Sequence, residues 1–243
     1  MLRGKEVSRV EGFSDAVFGF TLTLLVVSLE VPQTFSELRS ILAGFPAFAA
    51  TFALVCWVWY EHHLFFRRYD LEDGFTVFLN CVLLFIIVFY AYPLKFVFDR
   101  LITGWVLGAG PRINDGLSFE DGKLLMLAYS AGFVALFGTF ALLHWNAWRQ
   151  RESLALGELE RYDTRASMRR HLVSVAIGSA SLAITLIVPQ YLPFAGLIFF
   201  LLGPAHGTYG YLNGRRRRRL EASLCPPSGT GAPATTSAAE SAS

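Results

Sequence analysis

The side chains able to do chemistry are few, and they interrupt apolar runs. Asp15 stands near the start of residues 9–31, RVEGFSDAVFGFTLTLLVVSLEV, with fourteen uncharged residues between it and Glu30. At 1.5 Å per residue that interval covers about 21 Å, short of the roughly 30 Å hydrocarbon core. A carboxylate at membrane depth is costly and faces a protein interior or an aqueous path. Thr21, Thr23 and Ser28 add hydroxyls to the same helix. Farther on, Trp59, His62, His63 and Asn80 are among the polar groups of the next two apolar runs. Asp15 accepts hydrogen bonds, a histidine can donate, and Asn80 can do both. This set fits two chemistries: a polar clamp tying helices together, or a proton relay or ion site lining a water path.

The elements that must position them are membrane helices. Of 243 residues, 53% are hydrophobic and only 16% charged, against about a quarter charged in an ordinary soluble domain. Six spans are expected, near residues 13–31, 38–66, 74–98, 120–148, 168–188 and 192–213, so the fold is an all-α membrane protein. Pro32 and Pro189 stop the first and fifth, and Gly203-Pro204 interrupts the sixth. With the N terminus inside, the cytosolic segments carry Arg3, Lys5 and Arg9, then Arg67 and Arg68, then Arg149, Arg151, Arg161, Arg165, Arg169 and Arg170, then Arg215, Arg216, Arg217, Arg218 and Arg219. The outer side has Arg39, Lys95, Arg100, Arg112 and Lys123. A bias of about three to one puts both termini in the cytosol. Residues 1–219 then form one six-helix transmembrane repeat. Residues 220–243, rich in Ala, Ser, Pro and Thr, cannot bury a core and read as a disordered tail.

The topology brings Asp15, Trp59, His62, His63 and Asn80 to one depth near the cytosolic side. Adjacent histidines point in two directions, so His62 and His63 are no metal pair. Arg9 lies one turn from Phe13 and is expected over its ring. His144, His171 and His206 read as isolated interfacial groups. Cys56, Cys81 and Cys225 have no metal or disulfide spacing. Gly207-Thr208-Tyr209-Gly210-Tyr211 has the look of a carbonyl filter but lacks its residue order and ends a span. With no triad, phosphate loop or zinc motif, the chain reads as no enzyme, with no cofactor and no resident metal. The five arginines mark a stop-transfer flank with affinity for anionic lipid rather than nucleic acid.

Arg9-x-x-x-Phe13-Ser14-Asp15 and the residues that follow it resemble the signature of the lysosomal-type potassium channel family, the transmembrane protein 175 family. Trp59-x-x-His62-His63 and Leu79-Asn80 resemble further features of that family. The resemblance covers residues 9–98 closely and the last three spans only in helix number and in the cytosolic basic cluster. It implies a potassium-selective, leak-type cation channel in a bacterial inner membrane. The channel would be a homotetramer whose first helices line a pore without a TVGYG filter. Its apolar constriction maps onto Phe20, Leu24 and Val27, with Thr23 beside it, and K+ is the permeant ion. Phe20 departs from the family's usual Ile. Positions 20, 24 and 27 share one helical stripe, with 13 and 17 continuing it. In this picture Arg9, Phe13, Ser14, Asp15, Trp59, His62 and Asn80 form a structural network. A proton-coupled transporter using Asp15 and His62, or a non-conducting structural membrane protein, are the alternatives.

Overall fold

The computed structural model describes residues 7–28, 31–102 and 118–224. The outer connection after the third span and most of the expected tail lie outside the described residues. Helix α1 is Arg9–Val27, α2 Phe35–Tyr69, α3 Gly74–Leu101, α4 Phe119–Arg149 and α5 Glu158–Ile187. The last span is segmented. A 3-10 turn, Pro189–Tyr191, leads into α6, Leu192–Leu197, and a second 3-10 turn, Ile198–Leu201, leads into α7, Leu202–Leu224. Among the described residues there is no strand, and six helical segments are long and apolar enough to cross a membrane.

Each helix start has a local cause. Ser8 accepts the N–H of Glu11 to cap α1. Thr34 and Glu37 form a reciprocal capping box on α2, as Ser118 and Asp121 do on α4. Asp73 caps α3 by accepting the N–H groups of Phe75 and Thr76. α2 stops at Asp70, which adopts a left-handed backbone with φ 51°.

Two expected boundaries move. α5 begins at Glu158 rather than near residue 168, because hydropathy marks where the chain becomes apolar and not where the helix starts. The early turns, ELERYDTRASMRR, are polar but still good helix formers. In the sixth span the backbone tightens at Ile198–Leu201, not at Gly203-Pro204. Pro204 falls in the first turn of α7, where its missing N–H is no loss. Arginine also propagates a helix well, so α7 runs through all five and past Leu220 to Leu224.

Packing is tightest between α4 and α5, and α1 rests mainly on α3 and α2. Helices in lipid associate by close approach and internal hydrogen bonds rather than by a hydrophobic drive. Gly132 on α4 lets the Tyr90 ring of α3 lie flat against the backbone, where any Cβ would collide with it. Tyr90 completes the contact by donating to the Tyr129 carbonyl at 2.8 Å. Gly178 on α5 does the same for Phe133 and Val134. At one end of the bundle Asp73 accepts from Asn146 of α4 and from Gln150 just past its end. Tyr69 of α2 donates to Thr164 of α5, and Tyr162 of α5 to Asn213 of α7. These bonds gather at one end the described segments that carry the clustered arginines.

Candidate functional site

α1 has two faces. Glu11, Ser14, Phe18, Thr21 and Leu25 are buried against α3 and α2. Phe13, Phe20, Thr23 and Val27 are exposed, Phe20 at 60% and Val27 at 69%.

The buried face is held by a directional hydrogen-bond chain. His62 Nε2 lies 2.8 Å from Asn80 Oδ1. The Asn80 amide nitrogen donates to Ser14 Oγ at 2.9 Å. Ser14 Oγ in turn donates to the Val10 carbonyl, one turn back, at 2.7 Å. For every link to hold, Nε2 of His62 must carry the proton and donate. Its Nδ1 is then a bare acceptor, buried with no hydrogen-bond partner among the described residues. The Phe18 and Phe66 rings close over the imidazole at 5.5 and 4.6 Å between centroids. The chain starts on α2, passes through α3 and ends on the backbone of α1, so it ties three helices together.

Asp15 stands outside that chain. Its Oδ1 accepts from Trp59 Nε1 at 2.7 Å; neither His62 nor His63 is its partner. His63 instead meets Glu11, Nδ1 to Oε1 3.2 Å, and stacks on Trp59 with ring centroids 5.6 Å apart. Sequence reasoning passed over Glu11, which is 4% exposed. The signal was available: on antiparallel helices, Asp15 with Trp59 and Glu11 with His63 are the same contact repeated one turn along. The adjacent histidines do point apart, one into α3 and one toward α1. At the other end of α1, Lys95 of α3 donates to Ser28 Oγ at 2.6 Å.

The exposed face is a stripe of Phe13, Ala16, Phe20, Thr23 and Val27, spaced alternately by three and four. Leu24 is half-buried on its flank, and Val17, expected in the stripe, packs against the core. Thr23 Oγ1 donates to the Gly19 carbonyl at 2.9 Å, so its proton is spent on its own helix and its lone pairs face outward. Arg9 is exposed, and among the described residues no cation–π contact joins it to Phe13. His144 and His171 are not separate interfacial groups. Both are buried, with ring centroids 5.0 Å apart, and His144 Nδ1 lies 2.9 Å from the Phe140 carbonyl. Residues 207–211 are helical, so their carbonyls belong to α7 and not to a filter. Among the described residues no group of three or more His, Cys, Asp or Glu is placed to hold a metal ion.

The profile of the endosomal/lysosomal potassium channel TMEM175 matches residues 9–90, the stretch that holds α1 and its partners Trp59, His62, His63 and Asn80. A potassium channel of Marivirga tractuosa is 37% identical over 230 residues, covering 90% of this chain and 92% of that one. A potassium channel of Chamaesiphon minutus is 32% identical over 105 residues, 40% of this chain and 52% of the other. A crystal structure of the potassium channel MtTMEM175, a threonine-to-alanine variant bound to a nanobody–MBP fusion, superposes with a TM-score of 0.78. It is 35% identical and covers 88% of this chain and 97% of that one.

Proposed function

Because the chain belongs to the TMEM175 potassium-channel family, we propose that it is a potassium-selective, leak-type cation channel of a bacterial inner membrane, with both termini in the cytosol. Four copies assemble with α1 of each lining a central pore. The observation that carries this reading is the two-faced first helix. Its buried face is fixed to α2 and α3 by polar bonds, while Phe20, Thr23 and Val27 are exposed among the described residues.

In a ring of four, Phe20, Leu24 and Val27 form an apolar constriction that resists ion entry by dewetting. Thr23 sets a ring of hydroxyl oxygens beside it. Their protons already point to Gly19 carbonyls, so the oxygens offer lone pairs to a dehydrated cation. The aromatic ring at position 20 narrows the path more than a branched aliphatic would. The buried chain of Ser14, Asn80 and His62, together with the Asp15–Trp59 bond, anchors the pore helix and touches no ion. Proton-coupled exchange through Asp15 and His62 is the poorer account: the two are not bonded to each other, and α1 is unbroken at its polar end. Arg215, Arg216, Arg218 and Arg219 are exposed on α7 and suit anionic lipid at the cytosolic surface.

Reversal potentials of purified protein in liposomes under opposed potassium and sodium gradients test the reading. Selectivity for potassium with ohmic current is expected, and Phe20→Ala and Leu24→Ala each raise the current several-fold. Wild-type conduction in both variants would remove the constriction from α1.

A further inference from the structure

On the side of the bundle away from α1, an open cleft of about 410 Å³ lies between α2, α5 and α7. Arg68, Asp163, Ser167, Arg170, Tyr209, Asn213 and Arg217 line it. Three guanidinium groups from three helices face one carboxylate there.

The polar bookkeeping of the cleft is unbalanced. Asp163 is engaged by Arg217, Nε to Oδ1 3.1 Å. Arg217 also reaches Glu221, Nη1 to Oε2 3.2 Å. Arg170 pairs with Glu61, two turns before Arg68 on α2. Arg68 has no carboxylate among the described residues and lies beside the Tyr69 hydroxyl. The Ser167 hydroxyl and the Asn213 amide nitrogen donate to nothing among the described residues, since the Asn213 oxygen alone is used, by Tyr162. Donors therefore exceed acceptors, and the missing partner is an anion with several oxygens. Arginine forks suit the oxygens of phosphate.

The surroundings say where that phosphate comes from. At the same end of the bundle, Arg165 lies 3.9 Å from the Trp148 ring centroid, Arg151 lies 5.0 Å from it on the same tryptophan, and Arg149 covers Trp145 at 4.9 Å. Tryptophan and arginine together mark the headgroup layer of a bilayer. A cleft at this level opens toward lipid headgroups before it opens to bulk solution.

We propose that this cleft binds a phosphate group presented by an anionic phospholipid. Arg68 and the free donors of Ser167 and Asn213 grip the phosphate, while Arg170 and Arg217 are held in place by Glu61 and Asp163. The site is distinct from the diffuse attraction of the exposed arginines of α7, and it does not depend on whether the chain conducts ions.

Native mass spectrometry of the purified full-length chain in detergent, supplied with phosphatidylglycerol or phosphatidylcholine, tests it. Wild type retains phosphatidylglycerol preferentially. Arg68→Gln and Ser167→Ala reduce that retention several-fold, and Asn213→Asp abolishes it. Arg219→Gln removes the same charge from the exposed face of the helix and lowers retention far less than Arg68→Gln does. Melting curves of each variant identify any that fails to fold, and Ser167→Ala, the mildest change, keeps the test decisive if Arg68→Gln is unstable. Equal losses from Arg68→Gln and Arg219→Gln would reduce the cleft to part of a polybasic surface. No preference over phosphatidylcholine would abolish the site. Displacement of the lipid by millimolar inorganic phosphate would overturn the lipid as occupant.

Discussion

The two faces of α1 put similar side chains to opposite uses. Thr21 and Thr23 are two residues apart, and each hydroxyl donates to the carbonyl one turn back, at 2.8 and 2.9 Å. Thr21 is buried against the neighbouring helices, while Thr23 is exposed. On the buried face polar groups are satisfied within the chain and hold the helix. On the exposed face apolar groups are left uncovered and the one hydroxyl presents its oxygen outward. What a residue does on this helix is therefore set by helical phase rather than by type.

Asn80→Leu is the strongest way to break the buried face. It strands His62 Nε2 and removes the donor to Ser14, at a cost of about 2–3 kcal/mol if the desolvated groups find no water. A marked drop in melting temperature and in recovered oligomer on size-exclusion chromatography is expected, with selectivity unchanged in whatever survives. Altered selectivity in a fully assembled variant would instead put Asn80 on the ion path.

The threonine pair sharpens the comparison. Thr23→Val keeps the shape and deletes the outward oxygen, so potassium over sodium preference falls in bi-ionic reversal potentials while the melting temperature holds. Thr21→Val does the reverse, shifting stability slightly and leaving permeation alone. If the two behave alike, the faces are not functionally distinct.

Asp15→Asn keeps an acceptor for Trp59 but loses the charge assistance of that bond, at roughly 1 kcal/mol. A small loss of thermal stability is expected, with no change in reversal potential. The smallest effect at neutral pH concerns an anchor remote from α1. Burial by itself raises the Asp73 carboxyl, but hydrogen bonds from Thr76, Gln150 and the backbone of Thr76 and Phe75 outweigh it and hold the group below its ordinary value. A depressed carboxylate contributes stability above its unfolded pKa, about 3.9, and loses it as pH falls through the folded value. Melting temperature should therefore be insensitive to Asp73 titration near pH 7 and decline below about pH 4. Asp73→Ala, which strips the α3 cap at a cost of about 1 kcal/mol, should flatten that decline.

Much of this was legible in the chain because hydropathy acts locally. An apolar run long enough to span declares itself wherever it sits, and all six did. Asp15, Trp59, His62, His63 and Asn80 could be brought to one depth by counting turns alone. Depth, however, does not choose partners. Asp15 and His62 share a level yet bond to different groups, because each also has an azimuth set by how α1 lies on α2 and α3. The same limit hid Glu11, and it made His144 and His171 look separate when α4 and α5 bring their tilted rings to 5.0 Å between centroids. Helix ends at charged turns were misplaced for another reason: backbone hydrogen bonding continues after apolarity stops.

By itself, then, the sequence determined the number of spans, the clustering of arginines in alternate connections and the polar mark at the start of α1, since each is a property of residues in order. The tertiary structure decided which face of α1 is uncovered, that Leu24 sits on its flank, and that Arg68, Arg170 and Arg217 share one cleft. Those outcomes depend on helix rotation, and rotation is fixed by close approach at Gly132 and Gly178 and by hydrogen bonds between helices far apart in the chain.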